Sequence, residues 1–193
     1  ENEITKANLA KLKEMGFIII EPEYGLLACK DEGKGKLANI STLIEVIESA
    51  LVKDKYLKGK KVIVTAGPTK EAIDPVRFIT NHSSGKMGYA IARAAYALGA
   101  DVTLVSGEVD LDKPYGVNMV QVKSAKEMFE AMKELYADSD YVIMAAAVAD
   151  YRPLEYACGK IKKNSSSLEL KLTKTDDILA YLGQHKTHQK LCG

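Results

Sequence analysis

The stretch KKVIVTAG, residues 60–67, decides the fold class because it is a continuous apolar, β-branched run that ends in glycine. A strand without polar alternation is buried on both faces, which is typical of the parallel sheets in α/β proteins. Further strand patterns and helical patterns with an apolar side follow: strands at 100–107, 118–124 and 140–150, and helices at 86–98 and 125–136. This alternation predicts an α/β fold, a doubly wound, Rossmann-like parallel sheet with helices on both faces.

The first part of the chain carries a different pattern. FIIIEP at 17–22 predicts a short buried strand. Residues 42–52 predict an amphipathic helix that starts with a capping box of Thr42 and Glu45.

A basic connector, VKDKYLKGK at 52–60, separates this part from the sheet and places a domain boundary near its end. The predicted domains are therefore 1–58 and 59–193. Late in the second domain, SLELKLTKT at 167–175 alternates with a period of two and predicts a more exposed strand. The tail from Asp176 onward has a helical pattern.

The overall composition excludes several classes of protein. The chain has 193 residues, of which 47% are apolar and 27% charged, and its net charge of +1 favours neither nucleic acid nor an anionic membrane. No apolar run approaches the roughly 18 residues of a membrane span. The three cysteines are far apart and no secretory signal is present, which favours a reduced, cytoplasmic location. The chain starts without Met and stops where an apolar stretch begins, so we expect a piece of a longer protein.

The loop between the first strand and the first helix of the second domain is rich in groups that bind anions. In open parallel sheets, ligands bind beyond the carboxyl ends of the strands, where this loop lies. Close backbone approach, a helix N-terminus and side-chain donors all suit a phosphate. Gly67 and Thr69 would give the close backbone approach, and Arg77, Asn81 and Lys86 would give the side-chain donors. The helix N-terminus is formed by Ser83, Ser84, Gly85 and Gly88. The alternative is that Ser83 or Ser84 caps the helix and the glycines pack against the sheet.

The fourth strand of the sheet pattern ends in small residues and an acid. Ala145, Ala146 and Ala147 leave room for a flat or bulky ligand against the backbone. Asp150 is placed to help hold a metal ion together with phosphate oxygens. The alternative is that Asp150 only caps the loop.

A cluster of lysines follows this strand end, formed by Lys160, Lys162 and Lys163. Spacing alone favours a solvated surface. The position of the cluster just after a loop of the site favours a flexible basic flap that closes over polyphosphate.

Common nucleotide and nucleophile motifs do not fit. HSSGKMG is not a P-loop, because Met87 stands where Ser or Thr would bind magnesium. The second strand ends at Ser106 without an acidic residue to bind a ribose hydroxyl, which disfavours a nicotinamide dinucleotide site. His82 beside Ser83 is adjacency in sequence and does not indicate a catalytic triad.

Four segments together resemble the phosphopantothenoylcysteine synthetase family, the ligases of coenzyme A biosynthesis. They are TAGPT at 65–69, DPVRFITNHSSGKMG at 74–88, AAAVADYRP at 145–153 and GKIKK at 159–163. The resemblance covers residues 59–193, and in bacteria and archaea such a domain is usually fused behind a flavin-dependent phosphopantothenoylcysteine decarboxylase. Residues 1–58 resemble the C-terminal tail of that flavodoxin-like decarboxylase domain.

The resemblance implies a two-step ligation. The carboxylate of 4'-phosphopantothenate attacks the α-phosphate of CTP, which gives an acyl-cytidylate and pyrophosphate with a divalent metal, usually Mg²⁺. The amine of cysteine then displaces CMP and forms the amide. Eukaryotic relatives use ATP, but the fused architecture favours CTP. A homodimer through the synthetase domain and a higher assembly through the decarboxylase domain are also implied.

Residue roles follow from the same resemblance. Asn81 would orient the carboxylate and stabilise the acyl-cytidylate, Arg77 would bind anionic substrate, and Lys160 would act in the second step. The metal would lie at Asp150. The remaining positions would line the nucleotide and substrate: Gly67, Thr69, Ser83, Ser84, Gly85, Lys86, Met87, Gly88, Ala145, Ala146, Ala147, Lys162 and Lys163.

In the first domain, Cys29 matches the proton donor on the decarboxylase flap. The family pattern Ala-Cys-Gly-Asp appears here as Ala28-Cys29-Lys30-Asp31, with lysine in place of glycine. FMN is implied for the parent protein, but this part lacks the flavin-binding core and is not expected to bind FMN alone. Two alternatives to a ligase stay open at this point, an NAD(P)-binding Rossmann oxidoreductase and an inactive fragment that retains the fold.

Overall fold

A computed structural model of the chain describes residues 2–27, 29–162 and 167–193. The chain divides into two compact units, Glu1–Ile47 and Glu48–Gly193. Within the described residues, no helix combines the length and the apolar character needed to cross a membrane.

The first unit contains a helix and a two-stranded hairpin. Helix α1 (Glu3–Glu14) begins after Asn2, whose side chain accepts a hydrogen bond from the N–H of Ile4. Strands β1 (Glu23–Leu26) and β2 (Glu32–Lys36) pair in antiparallel orientation.

The predicted strand at 17–22 is wrong. The structure gives this run no strand conformation, and Phe17 and Ile18 are 57% and 62% exposed. A single extended segment needs a neighbouring strand to satisfy its backbone groups, and no described strand pairs with this run.

The predicted capping box is also wrong, although the helix itself forms. Helix α2 (Ile40–Leu51) begins two residues before Thr42. The carbonyl oxygen of Asn39 accepts the first helical hydrogen bond, from the N–H of Leu43, at 3.0 Å. Thr42 therefore lies inside the first turn and cannot pair with Glu45 as an N-cap.

The second unit alternates strands with helices as predicted. In chain order its elements are β3 (Lys61–Ala66), β4 (Lys70–Ala72), β5 (Phe78–Thr80), α3 (Lys86–Ala97), β6 (Asp101–Ser106), β7 (Asn118–Gln121), α4 (Ala125–Tyr136), β8 (Tyr141–Met144), β9 (Tyr151–Pro153), β10 (Leu172–Lys174), α5 (Ile178–His185) and β11 (Lys190–Cys192). The predicted helices at 86–98 and 125–136 are confirmed as α3 and α4.

Five strands form one parallel sheet in the order β11–β8–β3–β6–β7. In the central strand β3, Ile63 is in register with Thr103 on one side and with Val142 on the other. Side chains alternate between the two faces of a strand, so Val62 and Val64 enter one core and Ile63 enters the other.

Helices cover both faces of this sheet. Helix α3 packs on one face through Tyr89 and Ala92, and helices α4 and α5 pack on the other through Met128, Met132 and Leu182. All five side chains are fully buried. Truncation of a large one, such as Met128 or Leu182, to alanine would lower the free energy of unfolding by about 2–5 kcal/mol. The predicted doubly wound α/β fold is confirmed.

The end of the chain departs from the prediction in two places. Of the predicted strand at 167–175, only Leu172–Lys174 pairs, because its partner β9 is three residues long and ends in Pro153, which has no N–H to donate. The predicted helical tail is only partly correct. Helix α5 ends at His185, and β11 then joins the sheet beside β8.

Candidate active site

The segments that follow β3 and β8 lie side by side beyond the carboxyl ends of these strands. Pro68 and Ala147 form a parallel bridge. The N–H of Ala147 donates to the carbonyl oxygen of Gly67 at 2.9 Å, and the N–H of Thr69 donates to the carbonyl oxygen of Ala147 at 3.3 Å. The two loops that the sequence predicts to share a site are therefore in direct contact.

Thr69 connects these segments from below the surface. It is fully buried, and its hydroxyl oxygen accepts a hydrogen bond from the N–H of Ala149 at 3.0 Å. Its carbonyl oxygen accepts a hydrogen bond from the Thr80 hydroxyl at 2.7 Å. In β3 itself, the Thr65 hydroxyl accepts a hydrogen bond from the N–H of Ala146 at 3.1 Å. These threonines fix the position of the loop after β8, and the Thr69 side chain does not face the solvent.

Asn81 reaches the same loop from the segment that precedes α3. Its Nδ2 donates to the carbonyl oxygen of Val148 at 3.0 Å and to that of Ala147 at 3.4 Å. The residue is exposed, so a fixed side-chain amide lies at the surface beside the ends of β3 and β8. A polar group that is oriented before substrate arrives needs no reorganisation during a reaction.

Helix α3 begins at this point without a side-chain cap. Gly85 is its N-cap residue, with a φ of 73°, and in the part of the chain that the structure describes this cap makes no side-chain hydrogen bond. The Ser83 hydroxyl instead accepts a hydrogen bond from the N–H of Gly85, at 3.3 Å. The first turn contains no acidic residue either, so its N–H groups have no partner within the helix. The alternative in which Ser83 or Ser84 caps α3 is therefore wrong. Ser84, Lys86 and Met87 are exposed.

Three glycines allow the backbone to approach closely here. A Cβ atom on Gly67, whose φ is +72°, would lie 2.8 Å from Cγ1 of Val109. A Cβ atom on Gly85 would lie 3.4 Å from the backbone nitrogen of Gly67. Gly88 packs α3 onto the sheet, because a Cβ atom there would lie 2.5 Å from the Cβ of Ala66. The packing alternative for the glycines thus holds for Gly88.

A cavity of about 470 Å³ opens beside the end of β8. Asp150 lines it from the loop after β8, and Asp176 and Asp177 line it from the segment between β10 and α5. The N–H of Thr175 donates to the carbonyl oxygen of Asp150 at 2.9 Å and holds the two walls together. The sequence prediction of the site did not include Asp176 or Asp177. Their signal is an acidic pair directly before a helix start, where Asp177 caps α5.

The acids of this cavity do not form a complete metal site on their own. Within the described residues, no group of three or more His, Cys, Asp or Glu side chains is placed to hold a metal ion. Asp150 is exposed and offers oxygen ligands, which suit a hard cation that takes its other ligands from phosphate and water.

Arg77 is paired with a buried carboxylate, while its own side chain stays 41% exposed. Its Nε and Nη2 donate to Oδ2 of Asp74 at 3.0 and 2.5 Å. The Asp74 side chain is fully buried, and its Oδ1 accepts from the N–H groups of Val76 and Arg77 at 2.9 and 2.8 Å. The hydrogen bond from Arg77, with help from backbone N–H groups, holds the pKa of the Asp74 carboxyl well below its usual range, although burial opposes this.

The lysine segment is attached to this ion pair. The N–H of Ile161 donates to Oδ2 of Asp74 at 3.2 Å, and Nη2 of Arg77 donates to the carbonyl oxygen of Ile161 at 3.0 Å. Lys160 and Lys162 flank Ile161 and are exposed. Lys163 lies outside the described residues.

The predicted site residues therefore form two groups. The first group joins Asn81 and Gly67 to the Ala145–Ala147 segment, with Asp150 on the adjoining cavity. The second group joins Arg77 to the Lys160 segment. Among the residues that the structure describes, no hydrogen bond joins the two groups directly.

A family model for the DNA/pantothenate metabolism flavoprotein C-terminal domain matches residues 57–193. The chain belongs to this family. A second model, described as Flavoprotein, matches residues 1–52. The resemblance inferred from the motifs is thereby confirmed, and the exact domain boundary near residue 58 stays a prediction.

Relatives in this family are named as coenzyme A biosynthesis proteins. The chain is 47% identical over 191 residues to the Coenzyme A biosynthesis bifunctional protein CoaBC of Bacillus subtilis, a match that covers 97% of this chain and 47% of that protein. It is 49% identical over 181 residues to the protein of the same name from Vibrio vulnificus, covering 93% of this chain and 45% of that one. The chain thus spans about half the length of these curated relatives.

A solved structure supports the same family. The crystal structure of the C-terminal domain of a Coenzyme A biosynthesis bifunctional protein CoaBC is 50% identical to the chain. Its TM-score is 0.64, with 72% of this chain and 65% of that chain covered.

In the part that matches the Flavoprotein model, Cys29 is exposed in the turn between β1 and β2. Lys30 follows it with a φ of 69°, in the left-handed region that favours glycine. The N–H of Lys30 donates to the carbonyl oxygen of Leu27 at 2.9 Å and closes the turn. The expected Ala-Cys-Gly-Asp pattern has glycine at this position, which adopts the left-handed conformation without strain. In this chain, Lys30 adopts that conformation instead.

Proposed function

We propose that residues 59–193 are the ligase part of a bifunctional coenzyme A biosynthesis protein, which activates 4'-phosphopantothenate with CTP and couples it to cysteine. One observation carries the proposal. The exposed, fixed amide of Asn81 lies beside the ends of β3 and β8, next to a helix N-terminus without a cap. Relatives at 47% and 49% identity that bear the name of a coenzyme A biosynthesis protein support it.

The first step needs an anion site and a polar group beside it. A carboxylate oxygen of phosphopantothenate attacks the α-phosphorus of CTP, the bond to the β-phosphate oxygen breaks, and pyrophosphate leaves. The free N–H groups at the start of α3 suit a phosphate. Gly67 and Gly85 let the segment after β3 and the start of α3 pack closely together. Asn81 would orient the reacting carboxylate and stabilise the acyl-cytidylate through its amide. Small side chains at Ala145–Ala147 would leave space for the nucleotide.

Mg²⁺ fits the acids of the cavity. Magnesium prefers oxygen ligands, so Asp150 would hold the ion from this chain, with Asp176 across the same cavity, and phosphate oxygens and water would be its other ligands. The ion would supply positive charge at the phosphate oxygens. The residues of the chain would hold the ion in place.

The second step would depend on Lys160. The amine of cysteine attacks the acyl carbonyl carbon, the bond to the phosphate oxygen of CMP breaks, and the amine loses a proton. A nearby ammonium group stabilises the charge that develops on the acyl oxygen and on the leaving CMP. Lys162 and Lys163 would add positive charge for the nucleotide phosphates.

The exposed apolar side chains on the two small antiparallel strand pairs, β4–β5 and β9–β10, support a homodimer. Val76 and Phe78 are 58% and 47% exposed beside β5, and Tyr151 and Leu172 are 49% and 47% exposed on β9 and β10. An apolar surface of this kind on a folded domain is typical of an interface between proteins.

The match of residues 1–52 to the Flavoprotein model supports a flavin-dependent decarboxylase in the parent protein, with FMN as its cofactor. Cys29 would be the proton donor on its flap. A cytoplasmic location and a higher assembly through this domain belong to the same proposal.

An oxidoreductase is not favoured by the geometry at the end of β6. The Ser106 hydroxyl, where a ribose-binding acid would stand, is buried and donates to the carbonyl oxygen of Gly107 at 2.7 Å. The next acidic residue, Glu108, is paired with Lys70 at 2.7 Å.

The test is to incubate the full-length natural protein with phosphopantothenate and each of CTP, ATP and NAD and to follow pyrophosphate release. We expect release with CTP before any cysteine is added, and release of CMP only after cysteine is added. Tight binding of NAD without pyrophosphate from any nucleotide would overturn the proposal, and release with ATP alone would correct the nucleotide.

A further inference from the structure

The segment after β6 lies directly against the segment after β3. The N–H of Gly107 donates to the carbonyl oxygen of Ala66 at 2.9 Å. A Cβ atom on Gly107 would collide with the carbonyl oxygen of Pro68, so a larger residue would push the two segments apart. Next along the chain, the Glu108 carboxylate pairs with Nζ of Lys70 at 2.7 Å. The end of β6 therefore borders the candidate site together with the ends of β3 and β8.

Val109, two residues further on, places one methyl group against two glycines of the site. Its Cγ1 atom would lie 2.8 Å from a Cβ atom on Gly67 and 3.0 Å from a Cβ atom on Gly85. Because glycine has no such atom, the methyl group packs directly on both backbones. The side chain is half-buried and also packs against the core between α3 and the sheet. Val109 is thus held between the segment after β3 and the N-cap residue of α3.

Valine suits the role of a spacer between two backbones. The two heavy atoms on its Cβ restrict χ1, so its methyl groups keep fixed positions. Gly67 and Gly85 have φ values of 72° and 73°, and as glycines they have no side chains to set the distance between them. The distance from the segment after β3 to the first turn of α3 therefore depends on the methyl group of Val109.

We propose that Val109 is a positioning residue for the phosphates of the nucleotide, because its methyl group fixes the first turn of α3 relative to the segment after β3. The N–H groups of that turn are the phosphate donors of the proposed ligase function, on which this inference rests. Val109 acts through Gly67 and Gly85. Its role concerns the binding of the nucleotide and is the same whichever residues serve the two chemical steps.

The experiment compares Val109→Ala with Val117→Ala in the full-length natural protein. Val117 lies at the other end of the same loop, is 2% exposed and belongs to the core against which Val109 packs. Both changes delete the same two methyl groups, and the loss of stability should be larger at the more deeply buried Val117.

The effect on the nucleotide should follow the opposite order. We expect Val109→Ala to raise KM for CTP by about 5- to 20-fold and to change kcat by less than about twofold, as for the loss of an interaction that is equal in the ground state and the transition state. Val117→Ala should keep both constants within about twofold of the wild type. Steady-state pyrophosphate release at varied CTP measures both constants.

Val109→Thr is the conservative variant. Threonine keeps the branched shape of valine and replaces one methyl group with a hydroxyl, which lowers stability. If Val109 acts as a spacer, this variant should keep KM for CTP within about twofold of the wild type in spite of its lower stability. A KM as high as that of Val109→Ala would contradict the spacer role.

Hydrogen exchange tests the spacer without reference to activity. The N–H of Tyr89 donates to the carbonyl oxygen of Gly85 at 3.1 Å, so its exchange rate reports on the start of α3. Val109→Ala should raise this rate relative to that of Val64 in the centre of β3, whereas Val117→Ala should leave the ratio unchanged. If the wild type releases no pyrophosphate with any nucleotide, the proposed function fails, and the exchange at Tyr89 still supports or overturns the spacer. An unchanged ratio in Val109→Ala, or equal changes of KM in the two alanine variants, overturns the positioning role.

Discussion

The Nδ2 atom of Asn81 lies 3.0 Å from the carbonyl oxygen of Val148 and donates a hydrogen bond to it. This contact joins the segment before α3 to the loop after β8. It also fixes which end of the side chain is the donor, because a carbonyl oxygen can only accept. The orientation of the Asn81 amide is therefore set by the sheet edge.

Asn81→Asp should abolish the first step of the proposed ligation. The carboxylate would face the carbonyl oxygens of Val148 and Ala147, which repel it, and it would add negative charge where two anionic substrates must meet. We expect pyrophosphate release from CTP to fall by at least about 100-fold, as for the loss of a preorganised donor. The measurement is pyrophosphate release without cysteine.

Asn39→Asp is the matched control for this change. Asn39 lies at the start of α2, where aspartate and asparagine are equally good caps, so that variant should keep the wild-type rate. Normal pyrophosphate release by Asn81→Asp would show that Asn81 has no role in the first step.

Lys160→Gln should leave pyrophosphate release in place and slow amide formation, so that acyl-cytidylate accumulates. The ammonium group stabilises negative charge in the second step, whereas the neutral amide of glutamine does so weakly. Quenched-flow analysis of the nucleotide products measures the intermediate. Lys126→Gln, an exposed lysine on α4, is the control and should behave as the wild type. Equal loss of both steps in Lys160→Gln would contradict the assignment.

The sheet could be predicted because its signals are local. The apolar run at 60–67 became β3. The helix at 125–136 formed with the predicted bounds, since its N-terminus is capped locally: the Ser124 hydroxyl accepts from the N–H of Glu127, and the Glu127 carboxylate accepts from the N–H of Lys123. The strand at 17–22 failed because pairing needs a partner elsewhere in the chain, which an apolar run does not reveal. The short strand β11 was missed for the same reason, because it exists only beside β8.

The attachment of the lysine segment to Asp74 and Arg77 could not be predicted from the sequence. Asp74 and Arg77 are close in the chain, but Ile161 is 87 residues away from Asp74 and contributes only backbone groups. Backbone groups carry no sequence signal. The burial of Thr69 could not be predicted either. A threonine after a strand gives the same sequence pattern whether its hydroxyl faces a ligand or the N–H of Ala149.

Gly88→Ala should destabilise the protein, whereas Gly183→Ala should stabilise it. Both glycines lie inside helices, so the gain in helix propensity is the same, about 1 kcal/mol. A methyl group on Gly88 would meet Ala66 and the carbonyl oxygen of Thr65 at 2.8 Å, and overpacking of this kind costs about 1–3 kcal/mol. A methyl group on Gly183 meets nothing within 4 Å. Thermal unfolding measures both, and equal shifts would contradict the tight contact of α3 with β3.

Lys30→Gly should stabilise the β1–β2 hairpin by about 1 kcal/mol, because the left-handed conformation strains a residue with a Cβ atom but not glycine. Hydrogen exchange of the hairpin amides in the full-length protein measures the change. Lys36→Gly is the control, since Lys36 lies in a strand, where glycine is destabilising by roughly 0.5–1 kcal/mol. Faster exchange in both variants would show that the turn does not impose strain on Lys30.

Acid should weaken the wild type more than Asp74→Asn. The pKa of the Asp74 carboxyl is held below its usual range by Arg77 and by backbone N–H groups, so the folded state binds the proton less readily than the unfolded state. A depressed folded-state pKa gives stability that is fully present above the unfolded value of about 3.9 and is lost as the pH falls through the folded value. Asparagine has no such group, so the difference in free energy of unfolding between the two proteins should be largest near pH 7 and shrink below about pH 4. Urea unfolding between these limits measures the difference, and curves that stay parallel across the whole range would show that the pKa of the Asp74 carboxyl is not lowered in the folded protein.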